Sequence, residues 1–454
     1  MSKPNVILLT LDTLRQDRLG CYGFKPSLTP NIDRLADSSV RFTQAITGGS
    51  WTQAAFPVML TSTYASMYGG CIGPLAAERP SPIEALSKNG YATAGFVTSP
   101  MLGQAFGYQR GFDHFADLTP GEKDPGLRAI KGGQSLLRLP LTHAISRMIG
   151  LRTRPAKLYV SAQELTDQIC RWIGETHSPF FVWGHYMDIH WPYHLEDQLI
   201  QPHDIAQAWI DVAHLHDVNW NGASISVQQR DHYIQLYERA VAYMDTHLGR
   251  LFDYLQIRGL EKDTVVILLA DHGEEFLEHG RWGHWEDNLY DEVLKVPLIF
   301  KIPGQIAEKV VDRQVRLLDL MPTIFDLCGL PILEGMQGNS MASLLRDEHP
   351  DYRADVTVSE MWHDAWHIVS VRSEEYKYIW DNKKPEEPRL YDLRIDPGEQ
   401  HNISAEQPEI RAELHSYVEA RIAEMTSTQP EHAAMGPDLD DDMLRRLRDL
   451  GYIE

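Results

Sequence analysis

Cysteine is scarce: only Cys21, Cys71, Cys170 and Cys328 occur in 454 residues, and no two stand at C-x-x-C spacing. That spacing excludes a zinc knuckle and a dithiol redox motif, and the scatter suits separate reduced thiols in a cytoplasmic protein. Long apolar runs are missing too. None approaches the ~20 residues needed to cross a bilayer, and the first, NVILLTL at 5–11, leads into charged sequence without a secretory profile. The expectation is a soluble, cytoplasmic chain with no membrane span. Positive charge is short: 42 Lys and Arg stand against 64 Asp and Glu, for a net charge of −22. This excludes a general nucleic-acid groove and an anionic-membrane binder. It does not exclude an anionic small-molecule ester, because a bound metal reverses the field inside one pocket.

What is present is ample apolar sequence, 43% of the chain, enough for one large α/β domain with an appendage. NVILLTL (5–11), ATAGFVTS (92–99), FFVWGHYM (180–187) and TVVILLAD (264–271) suit parallel strands buried on both faces. Between them, 161–176 and 229–259 place apolar residues three and four apart, as helices do. Strands alternating with helices predict an α/β fold with a large, mostly parallel sheet between helical layers, and ligands beyond the strands' carboxyl ends. After about residue 330, short alternating strands and a helix at 410–425 predict a small C-terminal α+β subdomain with an antiparallel sheet. The predicted division is 1–330 and 331–454. Residues 116–160 read as a helical insertion or dimer contact, so a homo-oligomer stays open. Residues 426–442, with Asp438, Asp440, Asp441 and Asp442, read as a solvated linker before a final helix.

The chemistry-bearing residues fall where strands end. Asp12 follows the first strand, Asp188 and His190 the third, and the Asp271–His272 pair the fourth. A lone Asp there is often a helix cap. Asp-His-Gly is stronger, because it offers a carboxylate and an imidazole to one point. Converging carboxylates repel, and a divalent cation relieves the repulsion. Oxygen with nitrogen ligands favours Mn²⁺ or Zn²⁺ over Ca²⁺ or Mg²⁺. Glu274 and Glu275 read as a charged helix start. His194 and His279 read as solvated or peripheral, and His363 and His367 as an ordinary subdomain face.

PNVILLTLDTLRQDRLGCYG, LTPNIDRLADSSVRF, FFVWGHYMDIHWPY, TVVILLADHGE, LYDEVLKVPLIF and RLYDLRIDPGEQHN occur in this order. Together they resemble the sulfatase-like members of the alkaline phosphatase superfamily, nearly from end to end. The resemblance implies the α/β sandwich, the C-terminal subdomain and a metal-assisted hydrolase of phosphate or sulfate esters. Family sulfatases carry C/S-x-P-x-R, with Thr-Gly nine and ten residues after the nucleophile. In GSWTQAAFPVMLTS (49–62), anchoring on Pro57 puts Ala55 at the nucleophile, a dead site. Anchoring on Thr61 and Ser62 puts Thr52 there, needs no gap and restores a hydroxyl. Thr52 is the register adopted, and it matches relatives with a Trp-Thr pair at this place.

This sequence departs from the sulfatase pattern. Ala54 replaces the motif proline and Phe56 its arginine. GFVTSPMLG (95–103) has neither base of G-K-W-H-x-G, His284 stands at a family lysine, and Thr13 replaces a second aspartate. Oxidised threonine would be a ketone, so no formylglycine is expected. The resemblance then points toward phosphorus: a phosphodiester or phosphonate ester hydrolase with Thr52 as nucleophile and a phosphothreonine intermediate. Asp12, Thr52, Asp271 and His272 would hold the metal. His190, or His185 near it, would protonate the leaving group. Asp188, His284 and His185 would serve a second metal or the substrate, with one ion preferred over two. The other functions kept open are a sulfatase without formylglycine, a phospho-group transferase and a catalytically silent relative.

Overall fold

The computed structural model describes residues 3–118, 159–177, 179–193, 195, 202–346, 352–363, 365–427 and 444. The predicted insertion core (119–158), His194, the acidic run and the final helix lie outside them, apart from Leu444. An eight-stranded sheet forms the centre. Its strands are β1 (Asn5–Leu11), β2 (Val40–Ile46), β3 (Ala92–Val97), β4 (His114–Asp117), β5 (Phe180–Tyr186), β6 (Thr264–Ala270), β9 (Lys295–Lys301) and β10 (Lys309–Arg316). Their order is β10-β2-β9-β6-β1-β5-β3-β4. Every pairing is parallel except those of β9 with β2 and β6. All seven residues of β1, β5 and β6 are buried, which is why these segments are apolar without alternation.

Helices cover both faces: α1 (Pro30–Ala36), α2 (Thr52–Thr61), α3 (Pro82–Lys88), α4 (Ala162–Glu175), α5 (Pro202–Asn221), α6 (Val227–Ile257), α7 (Asp291–Leu294), α8 (Leu320–Leu327) and α9 (Ala342–Leu345). The long α6 begins at a capping box in which Ser226 and Gln229 satisfy each other's backbone N–H groups. Residues 274 and 275 depart from expectation. They do not start a helix: Glu275 opens β7 (Glu275–Phe276), paired with β8 (Trp282–Gly283), and both glutamates are buried. The hairpin turn at Leu277–Gly280 takes positive φ at both ends, and its backbone pairing wins over helix propensity.

The C-terminal sheet is antiparallel, in the order β11 (Thr357–His363), β12 (Trp366–Arg372), β13 (Tyr376–Asp381) and β14 (Arg389–Asp392), with α10 (Pro408–Ser427) packed on it. It is bolted to the large sheet by polar contacts. The Ser359 hydroxyl donates to the Thr47 carbonyl at 2.6 Å, and the Glu360 N–H donates to the Gly48 carbonyl at 2.9 Å. The buried Glu360 carboxylate accepts the N–H and hydroxyl of Ser66 at 2.9 and 2.6 Å and lies 3.5 Å from both Arg421 and His367.

Burial pushes the Glu360 carboxyl up, but Arg421, His367 and Ser66 outweigh it and draw it from 4.5 down to about 2. A folded value below the unfolded one stabilises the fold above about pH 4.5 and loses that contribution as pH falls toward 2. Glu360→Gln is therefore expected to unfold with less urea at pH 7, by about 3 kcal/mol, with the deficit shrinking below pH 4. Equilibrium unfolding at both pH values checks this; a deficit independent of pH contradicts it.

Candidate active site

Strand register assembles the acidic cluster. β1 pairs with β6 so that Leu11 faces Ala270. The next residues out are therefore Asp12 and Asp271, side by side beyond the carboxyl ends. His272 completes the group: ligand atoms of Asp12, Asp271 and His272 lie within 4.8 Å of one another, and all three residues are buried. His272 Nε2 lies 3.8 Å from Asp12 Oδ1 and 3.5 Å from Asp271 Oδ2.

Each ligand is aimed by its far side. Asp271 Oδ1 accepts the N–H groups of Thr13 and His272 at 3.3 and 2.9 Å, which turns Oδ2 to the cluster. His272 Nδ1 lies 2.9 Å from the Gly273 carbonyl. A carbonyl only accepts, so the proton is on Nδ1 and the Nε2 lone pair faces the carboxylates. Asp12 is held from β5, where His185 Nε2 lies 3.3 Å from Asp12 Oδ2. Behind it the Trp183 indole donates to Thr10 Oγ1 at 2.9 Å, and that oxygen lies 3.0 Å from His185 Nδ1. Thr13 sits at φ 58°, a costly conformation for a β-branched residue. Its hydroxyl donates to the Ile189 carbonyl, and its carbonyl accepts from Tyr237.

Asp12 Oδ1, Asp271 Oδ2 and His272 Nε2 are buried without a hydrogen-bond partner among the described residues, and Asp12 Oδ2 is faced by His185. No Lys or Arg among them pairs with either aspartate, and nearby Arg15 is taken by Asp17 and Glu278. Burial and the Asp12 charge hold the Asp271 carboxyl well above its usual range, while burial, with a smaller push from His284, lowers His272 to about 3. For Asp12, burial works upward but His185, His190 and His272 prevail, and it falls below the usual range. Two carboxylates and an imidazole lone pair, converging and otherwise unpaired, are the donor set a divalent cation fits.

Thr52 is the first residue of α2, fully buried, and its Oγ1 has no hydrogen-bond partner among the described residues. The loop before it is pressed onto the helix. A Cβ at Gly48 would stand 2.5 Å from Val58 Cγ2, and one at Gly49 would stand 2.3 Å from Ala54 Cβ. Ala55 lies farther along α2, facing the core. Phe56, one turn beyond Thr52 on the same face, meets the His185 ring edge-on at 5.0 Å.

The other candidates are arranged around this core. His190 Nδ1 lies 2.7 Å from the Trp191 carbonyl, which leaves Nε2 as its working nitrogen. His284 lies 4.5 Å from the His272 ring and 5.2 Å from the His190 ring, centre to centre. Asp188 does not join the close cluster; its Oδ1 accepts the N–H of Ala162 at the start of α4. The residue missed by sequence reasoning is Glu274. It is fully buried, with Oε2 3.3 Å from His284 Nδ1, and burial pushes its carboxyl up to about 8. The signal was a glycine-punctuated hairpin, EEFLEHGRWGHW, masked by its charge.

His279, Glu292 and Glu399 also bring ligand atoms within 4.8 Å of one another. Glu399, however, has buried Lys377 at 2.9 Å and accepts the Asp291 N–H at 2.6 Å, so this trio is part of an ion-pair network. His279 is not solvated; it stacks on Tyr290 at 3.5 Å.

If the cluster holds a cation, Asp271→Asn should raise the melting temperature of chelator-treated protein by removing like-charge repulsion. It should also abolish the further rise that Mn²⁺ or Zn²⁺ gives the unsubstituted protein. Thermal unfolding with and without metal, beside elemental analysis, measures both effects.

Residues 4–330 match the family Sulfatase, and residues 278–427 match N-sulphoglucosamine sulphohydrolase, C-terminal. The chain is 26% identical over 423 residues to the Delta 4,5-hexuronate-2-O-sulfatase of Bacteroides thetaiotaomicron, covering 88% of this chain and 85% of that one. It is 23% identical over 494 residues to the multifunctional alkaline phosphatase superfamily protein PehA of Trinickia caryophylli, covering 93% and 95%. The phosphonate monoester hydrolase of Agrobacterium radiobacter superposes with a TM-score of 0.71 at 21% identity, over 93% of this chain and 96% of that chain. With most of its length matched by the family, the chain belongs to the sulfatases of the alkaline phosphatase-like superfamily.

Proposed function

We propose that the protein is a metal-dependent hydrolase of phosphoric esters, acting on phosphodiesters or phosphonate esters through Thr52. The observation that carries this is the buried, unpartnered Thr52 hydroxyl at the first turn of α2, on the face that reaches His185 and, through it, Asp12. Asp12, Asp271, His272 and Thr52 would hold one divalent ion, with Mn²⁺ or Zn²⁺ favoured by the mixed ligands. Such an ion supplies positive charge that acidifies the hydroxyl and stabilises a non-bridging oxygen.

Thr52 Oγ, its proton lost to solvent, attacks phosphorus in line. The bond to the leaving oxygen breaks, and that oxygen takes a proton from Nε2 of His190 in its imidazolium form, which keeps Nδ1–H on the Trp191 carbonyl. Water then attacks the phosphothreonine and gives its proton to His190, and the bond to Thr52 Oγ breaks. The helix N-terminus favours negative charge on Thr52 throughout. Scarce fixed positive charge favours a monoanionic diester or phosphonate ester over a dianionic monoester. The phosphonate monoester hydrolase among the structural neighbours supports the same class.

Thr52→Ala should lower turnover of an aryl phosphodiester by about 10³-fold or more, even with metal in excess over the three ligands that remain. Thr52→Ser should keep measurable activity, and a substrate pulse should leave a phosphate adduct on the peptide spanning residue 52. Full activity in Thr52→Ala rejects the mechanism. A second reading, a sulfatase without formylglycine, draws on the full-length likeness to the hexuronate sulfatase. Faster release of sulfate than of phosphate from matched aryl esters would favour it.

A further inference from the structure

We infer that Glu274 is a positioning residue that holds the His284 ring so that its Nε2 faces the phosphoryl oxygens of the ester bound at the proposed site. This rests on the phosphoric-ester reading of the pocket. It adds the substrate-gripping role of His284 and the partner that makes that role possible.

Hairpin register creates the pair. Glu275 pairs with Gly283 and Phe276 with Trp282, in antiparallel fashion. The next residues outward are Glu274 and His284, opposite each other where the hairpin opens toward His272. Glycine at 283 permits the turn that sets up the pair: it takes φ 98°, which side-chain-bearing residues rarely adopt. Glu274 is anchored from behind, where the Arg15 guanidinium donates to its carbonyl at 2.9 Å. Its Oε2 lies 3.3 Å from His284 Nδ1, and its Oε1 has no hydrogen-bond partner among the described residues.

A purely structural role does not explain this arrangement. A fully buried carboxyl with a single side-chain hydrogen-bond partner among the described residues stabilises a hairpin less than an apolar residue of its size would. Nor is Glu274 part of the close metal-ligand group. Its one evident service is to His284, whose ring lies 4.5 Å from that of His272 and 5.2 Å from that of His190.

The need for such a partner follows from the residue type. His284 stands where the resembled sulfatases carry lysine. An ammonium group donates in several directions and needs no orienter. An imidazole has two nitrogens on a flat ring, and only a ring fixed at Nδ1 points Nε2 one way. With the Glu274 carboxyl donating to Nδ1, as a glutamine amide there would, the ring proton sits on Nε2 and is aimed at a phosphoryl oxygen.

The test uses metal-loaded protein and phenylphosphonate, with binding followed by calorimetry and metal stoichiometry by elemental analysis. Glu274→Ala and His284→Ala should each weaken binding about 10-fold with stoichiometry unchanged. The double variant should bind no more weakly than His284→Ala alone. Glu274→Gln, which can still hold Nδ1, should stay within about 2-fold of the unsubstituted protein. Unchanged binding in Glu274→Ala, or an equal further loss in the His284→Ala background, overturns the inference. No binding to the unsubstituted holoprotein overturns it together with the pocket assignment. Should Glu274→Ala fail to fold, the His284 Nδ1 resonance decides: a ¹⁵N shift of a hydrogen-bonded nitrogen upholds the pair, and that of a free one refutes it. Binding needs no turnover, so these outcomes stand apart from the fate of Thr52 as nucleophile.

Discussion

Two carboxylates are forced together at the ends of adjacent parallel strands, and much of the surrounding structure answers that constraint. Parallel pairing puts Asp12 beside Asp271 because their strands run in step from Asn5 and Thr264. Neither side chain can turn away. One oxygen of Asp271 is tied by two backbone N–H groups, and Asp12 is faced by His185. The repulsion is built in before any ligand arrives, and a metal-binding protein gains affinity from it, because the cation relieves what the fold imposes. Thr13 at positive φ belongs to the same account. The chain must bend sharply after Asp12, and Tyr237, Ile189 and Asp271 hold that bend.

The second constraint is the placement of Thr52. A hydroxyl offers little reactivity unless it is held where charge can develop on it. The loop before it has no side chain at Gly48 or Gly49, so it lies flat on the first turns of α2. From the other side it is gripped by β11 of the C-terminal sheet, through Ser359 and Glu360. The small subdomain thus acts as a clamp on the loop before Thr52, and Glu360, fixed by Ser66 and Arg421, is its rivet.

The large strands were legible because burial on both faces leaves an unbroken apolar run. Asn5–Leu11, Phe180–Tyr186 and Thr264–Ala270 stand within a residue of expectation. Asp12, Asp271 and His272 were legible because they terminate such runs. What stayed hidden depends on register between distant segments. Nothing local shows that Trp183, Thr10 and His185 form a chain behind Asp12, since it arises from the pairing of β1 with β5. Glu274 was misread for the opposite reason. Its surroundings are charged, and a glutamate after Asp-His-Gly looks like a helix start until the hairpin register is known. Asp188 lies outside the close group of three, and the bond from the Ala162 N–H to its Oδ1 again depends on segments distant in sequence.

Phe56, where the register adopted in the sequence expects the family arginine, shows how firmly the packing fixes charge at this site. Phe56 is fully buried, with ring neighbours Tyr108 at 6.2 Å, Trp183 at 5.5 Å and His185 at 5.0 Å. Those partners offer a guanidinium edges and faces but no carboxylate. Restoring arginine there would bury a charge without a counter-ion, at a cost of several kcal/mol, and would displace the ring that braces His185. Loss of that brace would loosen Asp12 in turn. The apolar side chain at 56 is therefore held in place by core packing and cannot be exchanged for a cation by one substitution. With phenylalanine at 56 and histidine at 284, the groups offered to an anion on this side of the site are imidazoles, beside the donor set that a cation would fit. Imidazoles act only when aimed, and here His272 and His190 each meet a carbonyl, His185 a hydroxyl and His284 a buried glutamate.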